Sequence, residues 1–385
     1  MTLQEFIDRN FSRYTSLRRD LHRHPETGFE EIRTSNLIAD LLKSWGYEVN
    51  HGMAKTGIVG TLQAGNSDKV LGLRADMDAL PMQENSGKAW ESTNAGKFHG
   101  CGHDGHTATL LFAAEWLAKT RRFNGTLHVI FQPAEELLRG GQVMLNDGVF
   151  RRYPCDAIFA LHNMPGLRTG SFHFRKGAML SSSDTLQIDV TGVGGHGAFP
   201  EKTIDSTMVA CYIVTALQTI ISRNIPPFQP AVITVGSIQS GSVANIINSS
   251  ATLRLSVRTL DPQIRTHILQ RISEIAVSQA ESFGAKAEVH HVHGSPVLIN
   301  DSEMTDFAIS VARELFDESL IEPHSPPVMA SEDFAFMLEE NPRGTYFFIG
   351  AGEGCPVHNP GYDFNDEIMK PAVAFWATLT ERFLN

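Results

Sequence analysis

The chain has 385 residues, 42% hydrophobic and 19% charged, the balance of a globular protein too long for one simple core. Its formal net charge of −11, with no local Lys/Arg run to reverse it, argues against nucleic acid or an anionic membrane as the main partner. Cys101, Cys155, Cys211 and Cys355 lie far apart without a C-x-x-C pair, which disfavours a disulfide framework or a cysteine-rich structural zinc site.

The amino terminus mixes charges throughout and does not read as a secretory signal, so a soluble, cytoplasmic protein is expected. Leu3, Phe6, Ile7, Phe11, Tyr14, Leu17 and Leu21 recur at helical spacing, and a second helix follows Gly28 through about Lys43. Gly57–Leu62 and Val70–Arg74 read as strands, the second running into Asp76 and Asp78. Thr107–Lys119 is helical. Strand Gly125–Phe131 leads to Glu135-Glu136, and strand Asp156–Leu161 ends at His162-Asn163. Strand, metal-capable polar residue, then helix or turn is a repeating pattern. It places Asp76, Asp78, Glu135, Glu136 and His162 along one sheet edge, where open α/β sheets keep their ligands.

From about Ser181 the texture changes. Strand Asp184–Val193, helix Ile204–Arg223, strands Ala231–Ser240 and Ala251–Leu260, helix Pro262–Phe283 and strand Ala285–His293 spell βαββαβ. That order predicts a separate ferredoxin-like domain. The expected organisation is therefore α/β, with residues 1–180 and 294–385 forming one domain and 181–293 inserted into it. In the last stretch, Asp301–Phe316, Met329–Glu339 and Glu367–Leu384 read as helices and Thr345–Ile349 as a strand.

The chemistry concentrates in HGCGHDGH at 99–106, where three imidazoles, a thiol and a carboxylate are spaced by glycines that let them converge. A metal is the usual reason for His, Cys and Asp to converge. Cys101 could bridge two ions with His103 on one of them. Glu135-Glu136, read at the start of a helix, has an alternative explanation in the helix dipole, about 0.3–1 kcal/mol each. Adjacent carboxylates also suit one metal ligand and one general base. His162 and His358 each follow a strand-like run and precede Asn, a shared context that raises both as ligands. Gly192-Val193-Gly194-Gly195-His196-Gly197 matches G-x-G-x-x-G, but Pro200 interrupts and no acid follows at the required distance, so a dinucleotide site is not expected. His196 matters more there, as an imidazole on a mobile glycine loop.

Taken with LRRDLHRHPE at 17–26, RADMDALP at 74–81, HGCGHDGHTA at 99–108, FQPAEE at 131–136, ALHNMP at 160–165, GGHGAFP at 194–200, ASEDFA at 330–335 and HNPGYDFND at 358–366, the sequence resembles the di-metal aminoacylase and carboxypeptidase superfamily of amidohydrolases. Within it, the chain is similar to the branch of hippurate hydrolases, N-acyl-L-amino acid amidohydrolases and plant auxin-conjugate hydrolases. The resemblance implies a di-metal exopeptidase-like catalytic domain whose inserted domain serves as lid and dimerisation unit, giving a homodimer or higher homo-oligomer. It implies two divalent ions, manganese or zinc foremost and cobalt or nickel as alternatives, held by Cys101 as bridge with His103, Glu136, His162 and His358. Glu135 matches the catalytic base, His196 the imidazole supplied to the transition state, and Asn245 and Arg258 the residues that bind a substrate carboxylate. His99 and His106 are left with supporting roles. The chain departs from the family at Asn245-Ile246-Ile247-Asn248, where Asn-Val-Ile-Pro is common, and at Glu201, where His is common. Both departures bear on substrate preference.

The expected reaction is hydrolysis of an N-acyl amino acid, N-acetyl or hippurate-like, to a carboxylic acid and a free amino acid. Glu135 would take a proton from the attacking water and return it to the amine. His196 would stabilise the oxyanion by about 2.7–4 kcal/mol. A dipeptidase or carboxypeptidase using the same ions is the alternative enzyme, and a non-catalytic metal-binding or ligand-sensing protein the alternative class.

Overall fold

The computed structural model describes all 385 residues. Two compact units emerge, one of Met1–Gly177, Ile299–Pro326 and Asp333–Asn385, the other of Ala178–Leu298 with Pro327–Glu332. No helix is long and apolar enough to cross a membrane.

An eight-stranded sheet organises the first unit. At its centre Gly125–Gln132, Val70–Asp76, Ala157–Pro165 and Gly344–Gly352 lie side by side and parallel. Nearly every residue of these four strands is buried, so both faces are covered and their sequences are continuous apolar runs rather than alternating ones. Gly57–Ala64 and then Glu48–Met53 extend one side antiparallel. Glu48–Met53 gives no sequence signal because an edge strand that is mostly exposed needs no apolar run. On the other side the short strand Phe172–His173 pairs with Gly344–Gly352, and Ile321–Glu322 pairs with Phe172–His173. Because the central strands are parallel, their carboxyl ends share one edge of the sheet, and the loops leaving that edge carry the polar motifs.

Helix His103–Thr120 begins four residues before the expected Thr107. It is buried from His103 through Leu117, so it carries no amphipathic stripe to mark its start. Gly102 caps it at φ 91, and a Cβ there would stand 2.2 Å from Asn163 Oδ1. The glycine thus meets both a left-handed turn and a close approach. The expected helix over Met329–Glu339 is confined to Phe334–Glu340.

The second unit has the βαββαβ order. Ser183–Thr191, Ala231–Gln239, Ser250–Thr259 and Lys286–Ser295 form one antiparallel sheet in which Ser183–Thr191 and Ser250–Thr259 are central. Asp205 caps helix Ser206–Thr219 and Asp261 caps helix Pro262–Ser282, each accepting two backbone N–H groups of the first turn. The buried core here is wholly aliphatic: Leu186, Ile188, Ile213, Leu253 and Ile272 are among its members.

The first unit's core is instead rich in aromatic rings. Phe347 is fully buried, its ring centroid 5.1 Å from Phe174, 4.9 Å from Phe375 and 5.4 Å from Trp376. Trp45, Trp90, Trp116 and Trp376 all lie in this unit, so tryptophan emission reports it alone. Phe347→Ala should remove about 3–5 kcal/mol from its stability, seen as a lower urea midpoint by tryptophan fluorescence. An unchanged midpoint would mean the ring cluster does not hold the unit together.

Candidate metal centre

The groups converge at the carboxyl edge of the sheet, from strand ends and from the segments that follow them. Strand Val70–Asp76 ends in Asp76, with Asp78 just beyond it. Both are buried rather than exposed on a surface turn, and both orient imidazoles. Asp78 Oδ1 lies 3.1 Å from His103 Nδ1, while its Oδ2 accepts the Glu136 N–H at 3.0 Å. Asp76 Oδ1 lies 2.6 Å from His106 Nδ1, and its Oδ2 accepts from Arg74 Nη1 at 2.7 Å. With Nδ1 engaged by Asp78, His103 presents Nε2 on its other side, the orientation that metal-binding imidazoles adopt.

His162 is set by the same logic. It lies inside strand Ala157–Pro165 rather than after it. Its Nδ1 is 2.6 Å from the Asn163 carbonyl, which can only accept, so Nδ1 carries the proton and Nε2 is left as a lone pair 3.3 Å from Cys101 Sγ. Asn163 also meets His106 Nε2 through Oδ1 at 2.7 Å and donates from Nδ2 to the Tyr362 hydroxyl at 2.8 Å. His106 therefore has a supporting position, wedged between Asp76 and Asn163. His99 is buried with neither ring nitrogen hydrogen-bonded.

Glu135-Glu136 does not open a helix. The pair sits in a turn closed by Leu138 N–H to Glu135 O at 2.7 Å, and the next helix is Gly140–Asn146. The helix-dipole explanation therefore does not apply. Ala134 at φ 53 and Leu138 at φ 51 bracket the pair in left-handed conformations that cost about 1–2 kcal/mol each in a residue with a Cβ. Strain of that kind clusters where geometry serves function. Glu135 Oε1 accepts the Asp333 N–H at 3.4 Å, and Asp333 accepts from Gln132 Nε2 at 2.6 Å and the Gly141 N–H at 2.9 Å. Asp333 is a supporting residue that strand-end reasoning missed; its only signal was the ASEDFA motif.

His358 is the exposed member of the set, in a turn at φ 63 rather than at a strand end. Its N–H donates to Gly100 O at 2.7 Å, tying this late loop to the residue before Cys101. Its Nε2 lies 3.3 Å from Glu136 Oε1. Behind the cluster, Arg18 and His22 of helix Leu3–Arg23 hold Asp104: Arg18 Nη1 is 3.4 Å and His22 Nδ1 2.8 Å from Asp104 Oδ2. His22 also reaches Glu84 at 3.1 Å, and these carboxylates overcome burial to raise its pKa to about 9.

The ligand-capable atoms form several groups; two of them contain Cys101, and others join Asp76, His103 and His106, and His103, Glu135 and Glu136. Of the two triads with Cys101, His103 and His162 complete one, and Glu136 and His358 the other; within each, the atoms lie within 4.8 Å of one another. Cys101 is the member they share. His103 Nε2 is buried without a hydrogen-bond partner and stands 4.0 Å from Glu136 Oε1, the oxygen that faces His358. A buried ring nitrogen is rarely left so, and one that converges with a carboxylate on the same space suits a cation. Electrostatics agree. Burial and then Glu136, Glu135 and Asp76 hold the Cys101 thiol far above its ordinary pKa, so a thiolate there needs positive charge beside it. Burial opposes charge on His103, but Asp76, Asp78 and Glu136 raise it to about 10.

The remaining expected residues lie in the second unit. His196 is exposed on the two-residue strand Gly195–His196, paired with Ile246-Ile247, and its Nδ1 accepts the Ala198 N–H at 3.1 Å. Asn245 is brought beside it, its carbonyl accepting the Gly197 N–H at 2.8 Å. Arg258 is on strand Ser250–Thr259, partly buried, with Nη1 donating to Met329 O at 2.9 Å.

The chain is similar to known proteins along its length. Residues 72–382 match the family described as Peptidase family M20/M25/M40. A hippurate hydrolase of Campylobacter jejuni is 42% identical over 371 residues, 96% of each chain. Thermostable carboxypeptidase 1 of Saccharolobus solfataricus is 35% identical over 96% of this chain and 95% of its own. The crystal structure of a dinuclear metal-binding peptidase from Bacillus subtilis superposes with a TM-score of 0.85 at 29% identity, covering 98% of this chain and 99% of that one. The chain belongs to Peptidase family M20/M25/M40, within the superfamily its motifs resemble.

Proposed function

We propose that this metal-dependent amidohydrolase cleaves the amide bond of N-acyl L-amino acids, hippurate-like or N-acetylated, releasing a carboxylic acid and a free amino acid. The observation that carries the reading is the pair of ligand triads joined through Cys101, with the buried Glu135 beside them, in reach of His103 and Glu136. The 42% identity to a hippurate hydrolase over nearly the whole chain supports the substrate class. Cys101, His103, Glu136, His162 and His358 would hold two divalent ions, manganese or zinc, with cobalt or nickel as alternatives suited to the same donors. Once bound, such ions polarise the scissile carbonyl and make a water acidic enough to attack near neutral pH.

The chain's own residues do the rest. Glu135 accepts the proton of the attacking water at its carboxylate and passes it to the departing nitrogen. Asp78 fixes His103 through Nδ1 and Glu136 through its backbone N–H, so one carboxylate orients two ligands. His196 serves as the transition-state donor, from its own chain or a partner subunit, and Asn245 and Arg258 receive the substrate carboxylate. The second unit acts as lid and as the contact of a homodimer or higher oligomer, in a cytoplasmic enzyme. A second reading, cleavage of a peptide bond by the same centre, is favoured by the 35% identity to a carboxypeptidase. Amine release from hippurate, N-acetyl amino acids and dipeptides, assayed side by side, separates the two.

Glu135→Gln should keep the fold and both ions yet lose about 10²–10⁴-fold in kcat; near-normal turnover would sink the base assignment. Asp78→Ala should weaken divalent-metal affinity about 10–100-fold, measured by manganese titration of the metal-free protein. Affinity equal to the parent's would show that Asp78 orients no ligand.

A further inference from the structure

Glu31 immediately precedes helix Ile32–Ser44, yet its side chain makes no capping bond to it. Glu26 does the capping, its two oxygens accepting the N–H groups of Arg33 at 2.9 Å and Thr34 at 2.8 Å. Glu31 turns the other way. Its Oε1 accepts the Ala134 N–H at 2.9 Å and its Oε2 the Thr56 hydroxyl at 2.6 Å, with the residue fully buried.

Ala134 immediately precedes Glu135 and holds φ 53, a conformation an alanine does not take by preference. The segment that carries Glu31 closes on Ala134 from a second side. A Cβ on Gly28 would stand 2.9 Å from the Ala134 Cβ, a contact that only glycine leaves room for. The same segment grips the neighbouring acidic loop, where the Ala79 N–H donates to Glu26 O at 2.8 Å, one residue past Asp78. Burial raises the Glu31 carboxyl to about 7, with Thr56 opposing and Asp78 adding to the rise.

We propose that Glu31 is a positioning residue for the reaction: by anchoring the Ala134 N–H it holds the left-handed turn that aims Glu135 at the substrate and Glu136 at the ions. The inference rests on the roles proposed above for Glu135 and Glu136. The hydrogen bond from the Ala134 N–H to the Glu31 side chain secures a backbone angle that an alanine would otherwise give up.

The test compares Glu31→Ala, Glu31→Gln and the double variant Glu31→Ala/Ala134→Gly by kcat and KM on hippurate. Manganese affinity of each metal-free protein is the second readout. Glu31→Ala should lower kcat at least tenfold with KM within twofold, and weaken manganese binding about tenfold. Glu31→Gln keeps an acceptor for Ala134 and should stay within about threefold of the parent on both readouts. Glycine adopts the left-handed angle without strain, so Ala134→Gly should restore much of what Glu31→Ala loses. A purely structural Glu31 would not be rescued by a change in backbone preference one residue before Glu135. If Glu31→Ala does not fold, Glu31→Asp replaces it, since the shorter chain withdraws the acceptor but keeps the charge; the same loss and rescue are expected. The proposal is overturned if the loss is absent, if Glu31→Gln falls as far as Glu31→Ala, or if Ala134→Gly restores nothing. Glu135→Gln run alongside separates the two layers. Survival of its turnover defeats the base assignment, while its inactivity beside a fully active Glu31→Ala defeats the positioning role alone.

Discussion

Buried negative charge at the carboxyl edge of a parallel sheet is the constraint on which the first unit turns. Asp76, Asp78 and Glu135 are buried there, with Glu136 beside them. Such a group is tolerable only if each oxygen has a donor or a cation. The fold supplies donors to most of them. Arg74 reaches Asp76 and Asp333, His106 and His103 take the inner oxygens of Asp76 and Asp78, and backbone N–H groups meet Asp78 and Glu135. The demand left unmet is concentrated at the Cys101 thiol and His103 Nε2, and it is the chemical signature of the centre.

Much of this was legible in the sequence. Continuous apolar strands ending in Asp, Glu or His announced a parallel sheet with its chemistry at one edge, and the βαββαβ order of the second unit could be read from alternation and spacing. The pairing of HGCGHDGH with distant His162 and His358 came from motif resemblance, because no local pattern says which loops meet. Glu135-Glu136 reads as a helix start but lies in a turn, because sequence periodicity cannot report that Ala134 and Leu138 take left-handed angles. The early start of helix His103–Thr120 escaped notice for a related reason: burial on all sides erases the amphipathic period.

Supporting residues were the least legible. Asp78 shows in the sequence as a carboxylate after a strand, within RADMDALP, and neither feature says which groups it orients. Glu31 had no signal, since its meaning depends on an N–H more than a hundred positions away, as its bond to Ala134 shows. Ligands advertise themselves by residue type, whereas the groups that orient them are ordinary acids and amides recognised by what they touch.

The strand Gly344–Gly352 lies between Ala157–Pro165 and Phe172–His173, two strands that are near neighbours in the chain. During synthesis the sheet must therefore wait, with a central slot open, until the second unit and most of the carboxyl-terminal segment have left the ribosome. The second unit's strands and helices, by contrast, close on contacts within Ala178–Leu298 and can form a core while the first is still incomplete. The metal-binding edge, which draws on Cys101 early and His358 late, is among the last parts of the molecule to be assembled, and its maturation is tied to completion of the chain.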